Sequence, residues 1–230
     1  MRQSLAAVAV AVMGVLVAGC GSTGHAESTT APSTTKTLIP RPLVERELPG
    51  LLLSPEQVNA AMGTTDMAII SSQTSLSDHS NTMAPPECLA LDGAGEADVY
   101  ADSGYRAARD HSLNNGDNFT HYAKQAVVLF PLAETARAFF EASAEQWPAC
   151  HEYRHTQSGT KWYVAELTRD GDILKAITVQ RDAGHPGWGC GRALVLRNNI
   201  IGDVNTCSAD PGDSAVRIAQ QIGENVDAVW

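Results

Sequence analysis

The segment His151-Glu152-Tyr153-Arg154-His155 matches H-E-x-x-H. On a helix that spacing puts both imidazoles on one face, where they can hold Zn2+ with the glutamate as general base. The surroundings argue against a helix. Pro148 and Cys150 close the segment before it, and Thr156-Gln157-Ser158-Gly159 does not continue one. The extended metal pattern would want Gly at 158 and His at 161, where Ser158 and Lys161 stand, although Glu166 or Glu224 could supply a distant ligand. His151 and His155 are candidates for adventitious metal binding more than for catalysis, and no cofactor is assigned. Gly212-Asp213-Ser214 has the look of a hydrolase serine, but no G-x-S-x-G exists and no His follows Ser214. The segment reads instead as the first turn of a capped helix. Asp170 and Asp172 flank a turn, where paired carboxylates are usually solvated. With no coherent catalytic set, the chain is read as not an enzyme.

The residues suited to binding are aromatic. Trp162, Trp188 and Tyr153 are candidates for a ligand site, although Trp162, Trp188 and Trp230 more often serve core or edge packing than ligand platforms. Gly187-Trp188-Gly189 is the best placed, since flanking glycines let a backbone approach a ligand; a tight turn feeding the next strand is the plainer reading. The seven histidines are scattered and predict no clustered pH switch.

Several elements must position these residues. Ser54-Pro55-Glu56-Gln57 is a helix start, with Ser as N-cap, Pro at N1 and Gln closing a capping box; that helix should stop at Gly63. Residues 64–86 read as polar turns, 97–105 and 125–130 as strands, and 110–120 as a loop. Residues 132–147 are the clearest helix, with a stripe at 132, 136, 139, 140, 143 and 147. Residues 162–168 and 173–180 form a hairpin turning at Asp170-Gly171, which sets Glu166 opposite Lys175, Arg169 opposite Asp172 and Val164 opposite Ile177. A final helix spans 211–228, capped by Asp210 with Pro211 at N1, and buries Ala215, Ile218, Ala219, Ile222 and Val226. Hairpins with flanking helices predict an α+β fold, an antiparallel sheet covered by helices.

The start of the chain is a different kind of segment. Arg2 precedes an uncharged apolar run over 5–17, too short to span a bilayer as a helix. The run ends Leu16-Val17-Ala18-Gly19-Cys20, the pattern of a bacterial lipobox, so residues 1–19 are expected to be removed and Cys20 lipidated. Residues 20–48 then form a Ser/Thr/Pro-rich tether, and 49–230 a single domain. Residues 1–19 hold Arg2 and no acid, so the mature chain has 15 Lys+Arg against 26 Asp+Glu, a net charge of −11. Such a chain gains nothing from the phosphate field, so no nucleic acid partner is expected, and any membrane association must come from the lipid.

Cys88, Cys150, Cys190 and Cys207 remain, and four cysteines in an exported chain predict two bridges, with three connectivities possible. Residues 190–197 and 200–207 read as strands joined by Asn198-Asn199, a turn that sets Cys190 opposite Cys207 at a non-hydrogen-bonded pair, with Cα atoms about 4.5 Å apart. A bulge at Gly202 would shift that register. By elimination Cys88 pairs with Cys150. No C-x-x-C is present, which argues for structural bridges.

An ordered set of short motifs carries a resemblance. It runs LLLSPEQV at 51–58, PPEC at 85–88, VY at 99–100 with SGY at 103–105, QAVVLF at 125–130, QWPAC at 146–150, GWGCGRAL at 187–194, NNIIGDV at 198–204 and then Cys207, followed by the terminal helix. The set is similar to the PknH-like extracellular sensor domain family of mycobacteria, over roughly residues 49–229. The resemblance implies a helix-flanked antiparallel sheet, two disulfides and a cleft for an unidentified ligand. It puts 151–155 in a strand or loop. Members of that family include a serine/threonine kinase and lipoproteins that share its sensor domain; no kinase domain and no transmembrane helix are read in this sequence, so signal transmission is not expected to carry over, whereas binding outside the membrane is. The leading expectation is a lipid-anchored extracytoplasmic sensor-like domain that binds a small molecule, a cell-wall fragment or a protein. A non-enzymatic scaffold of the envelope is the alternative, and a zinc hydrolase the remote third.

Overall fold

Helix α1 (Pro55–Met62) starts where the sequence carries its capping box. The Ser54 hydroxyl accepts the Gln57 N–H at 3.4 Å, and the Gln57 side chain accepts the Ser54 N–H at 2.9 Å. The computed structural model describes residues 41–184 and 186–229. The leader expected over 1–19, Cys20, the tether as far as residue 40, and Trp230 lie outside the described residues.

After α1 come β1 (Ala68–Gln73), β2 (Met83–Ala84), the short α2 (Leu89–Asp92), β3 (Ala107–Asn114), β4 (Tyr122–Leu129), α3 (Ala133–Gln146) and β5 (Glu152–His155). The chain continues through β6 (Lys161–Asp170), β7 (Ile173–Gln180), β8 (Gly189–Arg197), β9 (Ile200–Ser208) and α4 (Ser214–Asp227). The nine strands form one antiparallel sheet in the order β1-β3-β4-β9-β8-β7-β6-β5-β2. The fold is α+β, as expected.

Helices cover both faces of the central strands. Successive residues of β8 therefore bury alternately, Leu194 and Leu196 with the α2 and α3 residues, Ala193 and Val195 with α4. On the α4 face, Ala215, Ile218, Ala219, Ile222 and Val226 all pack inward. Gln125 locks the approach to α1 there, exchanging hydrogen bonds with both backbone groups of Leu53 at 2.8 Å.

Asn198 adopts φ 49° in the β8–β9 turn, and Cys190 lies directly opposite Cys207 with Cα atoms 4.1 Å apart and the sulfurs bonded. No bulge intervenes: Gly202 faces Val195, and an added Cβ would meet Val195 at 2.7 Å and Ile222 at 2.9 Å. Cys88 is bonded to Cys150, with a Cα separation of 5.1 Å, tying the entry of α2 to the end of α3.

Six expectations need correction. Residues 41–48 belong to the domain and not to the tether: Glu45–Leu51 is a 3-10 helix, and Leu43 and Leu48 are buried against the α4 face. The segment 97–105 is a run of turns, with Val99, Ala101 and Ser103 each donating N–H to the residue three back, because Asp98, Asp102 and Gly104 outweigh its apolar alternation. Conversely 107–114, which contributes to the expected loop 110–120, is strand β3, and β1 and β2 lie in the presumed turns of 64–86; pairing with neighbours overrides their polar composition.

The β6–β7 turn is centred on Gly171-Asp172. Gly171 takes φ 55°, so Asp170 faces Ile173 and Glu166 faces Ile177, while a bulge sets Val164 against Thr178. Lys175 reaches Glu166 diagonally at 3.0 Å, whereas Arg169 and Asp172 turn to Glu141 and Arg137 on α3. Finally, α4 begins at Ser214. Pro211 opens a turn before it, and the Asp213 carboxylate pairs with Lys175 at 2.8 Å instead of capping.

Candidate functional site

On the α2 face the sheet is left uncovered beside the Cys190–Cys207 bridge, making a groove of about 640 Å3. Its floor is Tyr122 and Lys124 of β4, Asn205 of β9 and the disulfide. One wall is the segment 92–96, and the others come from β1, the β3–β4 loop around Phe119, the β5–β6 turn and Trp188. Strand alternation explains the floor: Tyr122, Lys124 and Ala126 point to one face, and Ala123, Gln125 and Val127 to the other.

The 88–105 wall is fastened from below. Arg192, 1% exposed, donates to the Ala90 carbonyl through Nε at 3.1 Å and Nη2 at 2.8 Å, and to Asp203 Oδ1 through Nη1 at 2.7 Å. The other oxygen of Asp203 accepts the Gly95 N–H at 2.8 Å and the Tyr100 hydroxyl at 3.0 Å. Trp147 lies under the guanidinium, 5.3 Å away, and Tyr100 stacks on Phe139 at 4.3 Å. Burial, with Asp203 adding, pushes the Tyr100 phenol well up, so it stays a donor.

This wall presents two carboxylates. Asp92 Oδ1 lies 2.7 Å from His155 Nε2, a hydrogen bond that raises the imidazole pKa against the opposing effect of burial. Thr160 meets the other ring nitrogen at 3.2 Å. Glu96 accepts the His79 N–H at 3.0 Å and faces His79 Nδ1 at 2.9 Å. Lys124, buried beside it, donates to Ser77 at 2.7 Å and stands 3.9 Å from Glu96 and 3.8 Å from Asp110. Asp110 is 1% exposed, and neither of its oxygens has a hydrogen-bond partner. Burial raises its pKa, with Lys124 opposing.

The aromatic residues divide into two groups. Trp162 lines the groove and stacks on Tyr153 at 6.1 Å and 3°; Tyr153 itself lies behind, bonded to Thr178. At the other side Phe119 sits between Tyr122 at 6.3 Å and Trp188 at 6.4 Å, inclined by 47° and 51°. Gly187 takes φ 84°, and an added Cβ would lie 2.7 Å from the Ala209 carbonyl, so the turn before Trp188 requires glycine for its own close packing.

The metal candidates are not brought together. Glu152–His155 is a strand, so His151 and His155 lie about 13 Å apart along it. Among the described residues, no group of three His, Cys, Asp or Glu side chains is placed to share an ion. Ser214 is buried and bonded to Thr206 and Pro211, both at 2.6 Å, and among the described residues no His, Asp or Glu side chain is hydrogen-bonded to it. Sequence reasoning missed Asp92, Glu96, Asp110, Phe119, Tyr122 and Lys124. The one local signal was Lys124 and Gln125, polar residues inside an otherwise apolar strand.

The family profile described as "PknH-like extracellular domain" matches residues 43–225. The chain belongs to the PknH-like extracellular domain family. It is 34% identical over 193 residues to the serine/threonine-protein kinases PknH of Mycobacterium bovis and Mycobacterium tuberculosis, a match covering 82% of this chain but only 32% and 30% of theirs. The chain thus spans about a third of the length of these relatives. The crystal structure of the extracellular domain of PknH from M. tuberculosis superposes with a TM-score of 0.77 at 34% identity, over 82% of this chain and 98% of that one. This PknH-like domain therefore aligns with the extracellular part of the kinase.

Proposed function

We propose that the chain is a lipid-anchored, extracytoplasmic sensor-like domain that holds a small molecule or cell-envelope fragment in the groove. The carrying observation is the groove itself. About 640 Å3 is an ordinary size for a small-molecule site, and this one combines aromatic rings with convergent polar groups on a disulfide-pinned floor. Two disulfides and likeness to an extracellular domain support a place outside the reducing interior. The lipobox ending at Cys20 supports the anchor, and the acidic mature chain leaves the lipid as its hold on the membrane.

Thermal melting against a panel of envelope metabolites tests the binding; no shift with any of them defeats it. Fatty-acid labelling that persists in a Cys20→Ser variant defeats the anchor. A scaffold role draws support from β1, an edge strand whose Ile69 and Ile70 are exposed. Crosslinking to a partner protein, abolished by Ile70→Lys and with no metabolite shift, is the outcome that favours it.

A further inference from the structure

Three features of the groove bear on the charge of what it accepts. The first is the corner made by Phe119, Tyr122 and Trp188. The rings are mutually inclined and not stacked, and Phe119 is 44% exposed, so they form an open aromatic surface facing the groove. The protein's own cations lie on other rings: Arg169 over Phe140, Arg181 over Tyr163 and Arg192 over Trp147. Among the described residues no cationic side chain is stacked on the corner.

The second feature is the balance of charge. Asp92 and Glu96 line the groove, and Asp110 lies at the next inward-facing position from the lining residue Ser112. Lys124 is the one permanent cation among the lining residues, already shared between Glu96, Asp110 and Ser77, while His79 and His155 are paired to the two lining carboxylates. The third is the buried Asp110 carboxyl, which has no hydrogen-bond partner of its own. Burial raises the pKa of the Tyr122 phenol, the Ser112 hydrogen bond opposes it, and Asp110, Glu96 and Asp92 add smaller increases.

We propose that the Phe119–Tyr122–Trp188 corner takes an organic cation, an ammonium or alkylated amine on a small uncharged body. Ring faces attract such a cation within about 6 Å of their centroids. The carboxylates add a field that repels an anion of the same shape. This inference rests on the groove being a binding site and names the class of ligand.

Choline is the probe, titrated into the full-length protein by calorimetry and tryptophan fluorescence. Its uncharged carbon isostere, dimethylbutanol, and the matching carboxylate, dimethylbutanoate, are run beside it. Choline should bind about tenfold more tightly than the isostere, and less tightly as salt is raised. Phe119→Ala, at an exposed position, should weaken choline about two- to fivefold while the melting temperature holds. Trp188→Phe, which keeps a ring, should weaken it less than Trp188→Ala.

A choline Kd weaker than about 10 mM overturns the proposal. So does equal or tighter binding of the isostere or the carboxylate, or a Phe119→Ala variant that binds as before. If an uncharged envelope sugar then binds the groove, the assignment of ligand class falls and the groove reading stands. If no probe of any charge binds, both fall.

Discussion

The Arg192–Asp203 pair carries a quantitative expectation. Both side chains are nearly inaccessible, at 2% and 3% exposure, and together they meet the backbone of Ala90 and Gly95 and the hydroxyl of Tyr100. Asp203→Asn keeps the shape but supplies one accepting oxygen where two are used. Whichever way the amide turns, its NH2 faces a donor, either Arg192 or the Gly95 and Tyr100 pair, and the guanidinium loses its counter-charge. Breaking a buried pair from one side costs about 3–5 kcal/mol, a fifth or more of a typical domain stability of about 5–15 kcal/mol. Arg192→Met should cost toward the lower end, about 3 kcal/mol, because Asp203 keeps an N–H and an O–H. The double variant Arg192→Met/Asp203→Asn leaves no charge buried, so its cost should fall short of the sum of the singles by about 2 kcal/mol. Urea unfolding with the disulfides intact, at unchanged m-value, measures all three. Singles below about 1 kcal/mol, or a strictly additive double, would refute the idea that this pair holds the groove wall.

Three further outcomes are expected. Replacing both cysteines of the bridge closing 17 residues should cost about 3 kcal/mol, and of the one closing 62 about 4 kcal/mol, by loop-closure entropy; urea midpoints with the cysteines replaced pairwise by Ser give the comparison. His155 has a raised folded pKa, so its pairing with Asp92 stabilises fully below the unfolded value of 6.5 and is lost as pH climbs through the folded one. The difference in melting temperature between wild type and His155→Gln should therefore shrink on going from mildly acidic to alkaline buffer, and an imidazole titrating below 6.5 by NMR would contradict this. Asp110 also has a raised folded pKa, which for a carboxyl means that ionisation near neutrality opposes folding; the relief appears as pH falls through the folded value and is complete below 3.8. Asp110→Asn should accordingly raise the urea midpoint at pH 7, with the gain vanishing in acid.

What could be read from the chain followed the range of the forces involved. The α1 cap, the Asn198-Asn199 turn with its β8–β9 register, and the inward stripe of α4 depend on neighbours within a few residues, and these were legible. Strand β3 was not: Arg109, Asp110, His111 and Ser112 carry no strand signal, and only β1 and β4 on either side supply the pairing. The turns at 97–105 misled in the other direction, because Val99, Tyr100 and Tyr105 are apolar for packing and for the Asp203 hydrogen bond, not for a ladder. The groove was the least legible part. Asp92 and His155 are 63 residues apart and Ser77 and Lys124 are 47 apart, and nothing local marks such residues as neighbours. Trp188 stood out by its glycines, yet the observed role of Gly187 is backbone packing against Ala209.

The two sides of the groove differ in how they are held, and this bears on how a ligand would enter. The 88–105 wall is crosslinked at Cys88, clamped at Ala90 and Gly95 and anchored through Tyr100, so moving it would break a covalent tie and expose a buried ion pair. The β1 wall pairs, among the described strands, only with β3, has an irregular register between Ile69 and Ser71, and leaves Ile69 and Ile70 exposed. Local opening is least costly where buried contacts are fewest, so adjustment to a ligand should fall to β1 and the Phe119 loop while Asp92 and Glu96 stay fixed. A site arranged this way keeps its charged groups pre-set and lets its apolar lip adapt. That limits the ordering cost of binding to a short edge segment and leaves recognition of charge to side chains that need not move.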